Sequence, residues 1–374
     1  MVDGEISTDQ GLIEGCITQF YRQLYLETEV HKPLLDDIAF SRISKEDASW
    51  LDRPLDEDEV FGVVHDFNGD KASGLDSFTM AFFQSCWSMV KTDIMNVCHA
   101  FHTLAVFEKS LNATFLALIP KKVDAVDVKD FRPISLVGGL YKIIAKVLSN
   151  HMRRVVHCLI SESQNAFMKG RQILDSVLIA SECIDSRLKV GVSRVLCNLD
   201  IEKAYDHVNW EFLLFLLQQC DFSNKWRRWI RCCISSVKFS ILINGSPSDF
   251  FGSSRGLRQG DPLSLFLFAI VMEALSRMLV TATVAGQFSG FSVGNASGSL
   301  MMVSHLLFAD DTLVFCDANS NHIAALRGIL SRFEEMSGLK INLGKSELVP
   351  VGDVPDLHKL VEILGCRESV LPLK

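Results

Sequence analysis

Two short apolar runs that flank a pair of adjacent aspartates constrain the fold of this chain more than any other feature. Residues 305–309 and 312–315 are suited to the two arms of a β-hairpin, with Asp310 and Asp311 at its tip. Adjacent carboxylates repel each other, and a cation between them relieves that repulsion. An aspartate pair is also ordinary turn chemistry. The pattern gains meaning from a third carboxylate, Asp200, which closes another apolar run far upstream.

Alternating strand and helix patterns surround these carboxylates and predict an α+β fold. Two strand–helix units around a carboxylate-tipped hairpin favour helices on one face of the sheet, with the other face open for a substrate. We predict strands at residues 114–120 and 194–200, a hairpin at residues 239–253, and helices at residues 13–25, 57–67, 78–107, 136–157, 209–220, 262–280 and 321–337.

The composition indicates a globular intracellular protein. The chain has 374 residues, and 48% are hydrophobic, which excludes a disordered protein. Glu273 and Arg277 interrupt its most apolar window, so we predict a buried helix there and no membrane span. Residues 1–5 lack the basic and apolar regions of a secretory signal. The 11 cysteines include no Cys-x-x-Cys pair, which favours reduced thiols in the cytosol or nucleus.

The charge is distributed unevenly along the chain. The net charge of −8 argues against a nucleic-acid partner, but residues 1–70 hold 17 Asp and Glu against 5 Lys and Arg. Residues 113–172 reverse this balance, with 10 Lys and Arg against 4 Asp and Glu. A basic patch beside an acidic cluster is compatible with a phosphate-rich substrate, and a solvated basic surface is the alternative.

The three carboxylates have the chemistry that nucleotidyl transfer requires. A sheet could bring Asp200 and Asp310 side by side, since both lie at strand ends. In such sites one divalent cation activates the attacking 3′ hydroxyl and another neutralises the triphosphate. Mg²⁺ needs few protein carboxylates because water and phosphate oxygens complete its shell, and Mn²⁺ is an alternative. Asp200 could also simply terminate its strand.

A series of motifs resembles the reverse transcriptases of non-LTR retrotransposons, particularly plant LINE elements. The motifs lie at residues 118–122, 131–136, 164–171, 200–210, 255–264, 308–311 and 338–346, and residues 71–87 resemble the segment that precedes the polymerase. The resemblance covers nearly the whole chain, in the family's order. It implies a right-hand polymerase with fingers and an antiparallel palm sheet, preceded by a helical N-terminal segment.

The resemblance also implies a division into domains. Residues 1–100 would form a helical pre-polymerase segment, and residues 101–374 the reverse transcriptase domain. The fingers would take up about residues 101–190 and the palm about residues 191–374. The chain would then end before the primer grip and the thumb, which predicts weak or absent processive synthesis.

Catalytic roles carry over from the family by position. Asp200, Asp310 and Asp311 would form the metal-binding triad, with Asp200 and Asp310 as the more direct ligands. Lys345 would donate a proton to the leaving pyrophosphate, and a solvated lysine beside a turn glycine is the alternative.

The motif after Asp200 supplies part of the implied nucleotide site. Tyr205 would lie beneath the sugar of the incoming nucleotide and exclude a 2′ hydroxyl, or else serve as an aromatic packed under the strand. Lys203 and Ala204 would present backbone amides to the triphosphate. Asp206 and Glu202 are expected to be surface or orienting groups.

Further binding residues come from the loop at 255–264 and from the fingers motifs. Gln259 would hydrogen-bond a base or sugar, and Gly260 would let the backbone approach the nucleotide; a loop followed by a helix cap is the alternative. Arg132 would clamp the triphosphate, with a structural ion pair as its rival. Lys169 and Arg171 are assigned to template contact.

The resemblance therefore predicts an RNA-directed DNA polymerase that uses deoxynucleoside triphosphates on an RNA template with a DNA primer. It identifies no protein partner. The alternative is an inactive retroelement remnant that acts at most as a nucleic-acid-binding module. An unrelated metal-dependent phosphotransferase would also use Asp200 and Asp310, but it leaves Tyr205 and the loop at 258–264 unexplained.

Overall fold

The protein was analysed as a computed structural model, which describes residues 8–28, 35, 38–108, 110–294 and 300–371. The chain divides into two compact units that are interleaved along the sequence. The first unit draws on Met1–Val30, Ile43–Val155 and Tyr205–Phe266, and the second on His31–Arg42, Val156–Ala204 and Leu267–Lys374. The predicted domains are each continuous in sequence, whereas each of these units combines three separate segments of the chain. The predicted domain boundaries therefore stay a prediction.

Helices account for much of both units. They are α1 (Gln10–Leu24), α2 (Lys45–Leu51), α3 (Glu57–Asp66), α4 (Met80–Ser85), α5 (Trp87–Leu104), α6 (Gly139–Leu159), α7 (Ile173–Val190), α8 (Trp210–Gln219), α9 (Asn224–Ser235), α10 (Ser264–Val284), α11 (Ser320–Ser337) and α12 (Leu357–Leu364).

The strands are mostly short. They are β1 (Ala113–Pro120), β2 (Phe131–Val137), β3 (Arg194–Leu199), β4 (Ile201–Glu202), β5 (Lys238–Ile243), β6 (Ser246–Pro247), β7 (Phe251–Gly252), β8 (Phe291–Gly294), β9 (Leu300–Val303), β10 (His305–Phe308), β11 (Asp311–Asp317), β12 (Lys340–Ile341), β13 (Glu347–Val351) and β14 (Arg367–Glu368).

The first unit is built on a sheet in the order β2-β1-β5-β6, with β7 also paired to β5. Strand β1 is antiparallel to β2 and parallel to β5. Helix α1 contributes Tyr21, Leu24 and Tyr25 to a core cluster that includes Phe239 of β5. The helix predicted at residues 13–25 is therefore packed against this sheet, and α1 belongs to the core of the unit.

The second unit contains the sheet that carries the predicted carboxylates. Its order is β10-β11-β3-β13-β14, and β3 is antiparallel to both of its neighbours. Leu196 of β3 pairs with Phe315 on one side and Val349 on the other. These side chains pack with Ala180 and Cys183 of α7. The predicted α+β class is confirmed, and the sheet is antiparallel except for β14, which is parallel to β13.

Both faces of this sheet are buried around its middle strands. Leu196 faces α7, and its neighbours Val195 and Cys197 must point to the opposite face, because side chains alternate along a strand. All three are 0% exposed, as are Val314 and Cys316 of β11. The expected open face therefore does not extend over the middle of the sheet. The carboxylates reach solvent at the strand ends.

Helix α10 is long and strongly apolar. By length and composition it could cross a membrane, but 78% of its most apolar window is buried within the protein. A core helix of a globular protein has the same properties. This burial agrees with the helix predicted at residues 262–280.

Several predicted boundaries shift. The helix predicted from residue 136 begins at Gly139, because Leu136 belongs to β2 and pairs with Phe115. The long helix predicted at 78–107 is divided at Cys86 into α4 and α5. Helix α11 agrees closely with its prediction: Asn319 caps its first turn, and Gly338 ends it with a φ of 76°.

Candidate active site

A two-residue turn joins β10 to β11. Phe308 pairs with Asp311, so Ala309 and Asp310 form the turn, and Asp311 is the first residue of β11. The sequence placed both aspartates at the tip, whereas Asp311 already has extended geometry. Ala309 has a φ of 57°, in the left-handed region where glycine is preferred.

Asp200 lies at the adjacent strand end. Leu199, the last residue of β3, pairs with Thr312, so Asp200 follows at the level of Asp311. The pKa of Asp311 is raised, first by partial burial and then by the charges of Asp310 and Asp200. The three carboxylates thus lie within electrostatic range of one another. This is the convergence that the sequence predicted.

A turn between β12 and β13 holds the Asp200 backbone from both sides. The amide of Asn342 donates to the Asp200 carbonyl (2.8 Å), and the Asp200 amide donates to Ser346 Oγ (3.1 Å). Ser346 Oγ in turn donates to the Asn342 carbonyl (2.9 Å). Lys345 is exposed within the same turn. The sequence pointed to Lys345 but missed Asn342 and Ser346, whose contacts are set by tertiary structure.

The donor chemistry of this cluster fits a hard divalent cation. Carboxylates that repel one another, as Asp311 does with Asp310 and Asp200, gain most from a cation between them. Within the described part of the chain, no group of three or more His, Cys, Asp and Glu side chains is arranged closely enough to enclose a metal by itself. Carboxylate oxygens are the type of ligand that hard cations such as Mg²⁺ prefer.

Lys203 and Ala204, which the resemblance assigns to the triphosphate, follow β4 in the second unit. Lys203 has a φ of 47°, and Ala204 is buried at 5% exposure. A residue in the left-handed conformation next to one in the right-handed conformation can point successive backbone amides toward a single anion. The conformation suits the backbone role that the resemblance assigns to both residues.

In the first unit, residues 205–210 are hydrogen-bonded to the loop at 255–261. The Leu257 amide donates to the Tyr205 carbonyl (2.7 Å), and the Gly256 amide to the Val208 carbonyl (2.8 Å). Trp210 Nε1 donates to the Gly256 carbonyl (2.7 Å). A Cβ on Gly256 would lie 2.6 Å from the Asp206 carbonyl oxygen, so the close approach requires glycine.

The buried side chain of Asp206 lies between the segment that begins at Tyr205 and the loop at 255–261. It is 3% exposed and accepts a hydrogen bond from Tyr25 Oη (3.0 Å). Gln259 Nε2 lies 3.4 Å from both carboxylate oxygens. Burial, and then the Asp206 charge, raise the pKa of Tyr25 well above its usual value, which keeps the phenol a donor. Asp206 is thus an orienting group, one of the two roles expected for it.

Gln259 and Gly260 also contact β2, the strand that carries Arg132. The Ser135 amide donates to the Gln259 carbonyl (2.8 Å). Gly260 has a φ of 104°, and a Cβ there would lie 3.2 Å from the Ser135 carbonyl oxygen. Arg132 is exposed on the same strand. The loop at 255–261 of this unit therefore contacts Ser135, and Arg132 lies three residues earlier on the same strand.

The residues that flank Gln259 and Gly260 stabilise the loop. Arg258 forms a buried ion pair with Asp261 (2.8 Å), and its guanidinium stacks 4.0 Å from the ring centre of Tyr141. Tyr141 Oη donates to the same carboxylate (2.8 Å), and Arg258 Nη1 donates to Asn112 Oδ1 (2.5 Å). These buried polar groups are partnered, so the loop is rigidly anchored.

The two residues predicted to contact the template differ in their environment. Lys169 is exposed. Arg171 Nη1 instead donates to the carbonyls of Ser161 and Gln164, each at 2.6 Å. Template contact by Arg171 has to compete with these bonds, and its assignment stays a prediction.

Residues 119–367 match the family described as reverse transcriptase (RNA-dependent DNA polymerase), and the chain belongs to this family. Relatives place it among the reverse transcriptases of non-LTR, LINE-type retrotransposons. The transposon TX1 149 kDa protein of Xenopus laevis is 28% identical over 273 residues, covering 72% of this chain and 21% of that protein. The R2 retrotransposable element polyprotein of Nasonia vitripennis is 28% identical over 239 residues, covering 63% and 22%.

This chain spans about a fifth of the length of these relatives. A shorter similarity, 48% identity over 72 residues, links it to an uncharacterized mitochondrial protein of Arabidopsis thaliana. Among solved structures, an apo telomerase from Candida tropicalis aligns with a TM-score of 0.44 and 14% identity, covering 75% of this chain and 58% of that one.

Proposed function

We propose that this chain catalyses RNA-directed DNA synthesis, adding nucleotides from deoxynucleoside triphosphates to the 3′ hydroxyl of a DNA primer on an RNA template. Membership of the reverse transcriptase family supports the reaction class. The observation that carries the proposal is the register of β3 and β11, which sets Asp200 beside the Asp310–Asp311 turn. An inactive nucleic-acid-binding remnant is an outcome of the test below.

In this proposal Asp200 and Asp310 would hold divalent cations, Mg²⁺ or alternatively Mn²⁺, with Asp311 beside them. The cations would activate the primer hydroxyl and neutralise the triphosphate. Asn342 and Ser346 keep the Asp200 backbone in place through their hydrogen bonds. The protein thus contributes position and fixed charge, with no covalent step of its own.

The remaining residues would bind and orient the nucleotide. Arg132 would pair with the triphosphate, and Gln259, oriented by Asp206, would hydrogen-bond the base or sugar. Tyr205 would exclude a 2′ hydroxyl from beneath the sugar. Lys345, exposed in the turn that holds Asp200, would protonate the leaving pyrophosphate.

Backbone amides and basic side chains would complete the contacts. Lys203 and Ala204 would bind the triphosphate through their amides, and Lys169 would contact the template. The excess of basic residues at 113–172 supports a phosphate-rich partner. We propose an intracellular protein that needs no membrane.

Primer extension tests the function. On poly(rA)/oligo(dT) with Mg²⁺, we expect wild-type protein to extend the primer and Asp310→Asn to reduce the rate by about 100-fold or more, because a charged group at the reacting centre is lost. Asp249→Asn, the same substitution at an exposed position of the first unit, is the matched control and should retain the wild-type rate.

Equal extension by wild type and Asp310→Asn would eliminate the proposed site. Absence of extension by wild type, together with salt-dependent RNA binding, would identify the chain as a binding remnant.

A further inference from the structure

The segment at Gln164 lies directly beside the strand that leads to the catalytic turn. Gln164 and Leu307 of β10 form a parallel bridge. The Leu307 amide donates to the Ser163 carbonyl (2.7 Å), and the Asn165 amide donates to the Leu307 carbonyl (2.9 Å). The backbone of this segment is therefore fixed to β10 by two short hydrogen bonds. All of these residues belong to the second unit.

The Gln164 side chain reaches the turn itself. Gln164 is 0% exposed, and its Oε1 accepts hydrogen bonds from the amides of Ala166 (2.9 Å) and Ala309 (3.2 Å). Both partners are donors, so the oxygen of the side-chain amide must face them. Ala309 immediately precedes Asp310 and has the left-handed φ described above. An alanine needs outside support to hold that conformation.

The nitrogen of the Gln164 side-chain amide indicates which contact makes a glutamine useful at this position. Nε2 is buried and has no hydrogen-bond partner. Such a group is costly in a protein interior, and an apolar side chain of similar size would avoid the cost. Only the hydrogen bonds that Oε1 accepts from the two amides distinguish glutamine from an apolar residue at this position.

Arg171 is hydrogen-bonded to the backbone of Gln164. Its Nη1 donates to the Gln164 carbonyl and to the Ser161 carbonyl, each at 2.6 Å. Asn165 Nδ2 donates to Ser176 Oγ of α7 (2.6 Å), which fixes the same segment to a helix. The chain of contacts runs from Arg171 through Gln164 to Ala309, next to Asp310.

We propose that Gln164 is a positioning residue for the proposed polymerase reaction. Its Oε1 fixes the peptide that precedes Asp310, and Arg171 holds Gln164 in place. This inference rests on the proposed function. It gives the motif at 164–171 a role in shaping the carboxylate turn, and it replaces template contact as the role of Arg171. Misplacement of a reacting group by about 1 Å can reduce a rate about 100-fold.

The test uses Gln164→Met in the full chain, which keeps the size of the side chain and removes the acceptor. Amide hydrogen exchange at residues 305–313 should become about tenfold faster at Ala309, because its hydrogen bond is lost. In primer extension, kcat should fall about 10-fold to 100-fold while KM for the nucleotide stays near the wild-type value. Gln84→Met is the matched control, because Gln84 Nε2 donates to two carbonyls elsewhere (2.9 and 2.8 Å) and should affect neither readout.

Arg171→Gln keeps the inference testable if Gln164→Met does not fold. We expect faster exchange at Ala309 and unchanged RNA affinity. A template contact would instead weaken RNA binding and reduce its salt dependence by about one charge. Unchanged exchange at Ala309 in both variants would overturn the inference. Absence of synthesis by wild type would count against the proposed function, while the exchange measurement would still decide the role of Gln164.

Discussion

At the residue scale, the second unit combines charged groups that reach solvent with polar groups that are fully buried. Asp200, Asp310 and Asp311 lie at strand ends, where a cation can approach. His305, on the strand that leads to them, is 1% exposed. Its ring nitrogens lie 2.8 Å from Ser276 Oγ and 2.9 Å from Ser304 Oγ, so neutral hydroxyls satisfy it. The imidazole is thus built into the core as a neutral group.

The buried imidazole predicts a specific loss of stability in acid. Burial lowers the pKa of His305 from 6.5 to about 4. Between pH 4 and 6.5, His305 binds a proton in the unfolded state but not in the folded state. The contribution of the buried neutral imidazole to stability is therefore complete above pH 6.5 and declines as the pH falls to 4. Two and a half pKa units correspond to about 3 kcal/mol.

Urea unfolding at several pH values measures this effect. His305→Gln should have a flatter decline in the free energy of unfolding between pH 6.5 and 4 than wild type. His358→Gln, on the exposed side of α12, should keep the wild-type slope. Identical slopes for wild type and His305→Gln would contradict the prediction.

At the scale of elements, the loop at 255–261 shows how backbone geometry brings two motifs together. Gly256 has a φ of 91° and lies against the Asp206 carbonyl, which leaves no room for a side chain. Gly286, after α10, has a φ of 69° with no atom near the position of a Cβ. The two glycines share a left-handed conformation and differ in the space around them.

This difference predicts unequal costs for the same substitution. Gly286→Ala should reduce the free energy of unfolding by about 1 kcal/mol, the cost of a left-handed alanine. Gly256→Ala should cost about 1–3 kcal/mol more, because the backbone must shift to relieve the clash. Chemical denaturation of both variants compares them, and equal costs would show that the close approach to Asp206 does not matter.

The elements that the sequence predicted well have strong periodic patterns. The strand at 194–200 and the helices at 209–220 and 321–337 agree with β3, α8 and α11 within a residue or two. Helix α7 was missed because its buried face consists of the small residues Ser176, Ala180 and Cys183, which form no apolar stripe. Its large apolar residues, such as Leu174 at 60% and Leu178 at 67%, are exposed.

At the scale of the whole molecule, the N-terminal helix lies outside the range that matches the reverse transcriptase family, yet it is part of the first unit. Tyr25, at its C-terminal end, donates to Asp206, and its ring stacks on Phe239 with the ring centres 5.0 Å apart. The Ser254 amide donates to the Tyr25 carbonyl (2.9 Å). Stability of this unit therefore depends on residues that a domain boundary near residue 100 would place elsewhere.

Two leucines of α1 test this dependence. Leu24 is 6% exposed in the core cluster, and Leu12 on the same helix is 58% exposed. Leu24→Ala should reduce the free energy of unfolding by about 2–4 kcal/mol, because a buried cavity forms. Leu12→Ala should change it by about 0.5 kcal/mol or less. Equal, small effects in denaturant unfolding would mean that α1 contributes little to the unit.

The sequence by itself determined which residue types could do the chemistry and which strands would carry them. Asp200, Asp310 and Asp311 followed from local pattern and resemblance, since strand ends and tight turns are encoded by neighbouring residues. Tertiary structure alone decided that Gln164 reaches Ala309 and that Ser346 holds the Asp200 amide. These contacts join residues that are distant in the chain, and their geometry depends on how strands align in a sheet, which no local pattern specifies.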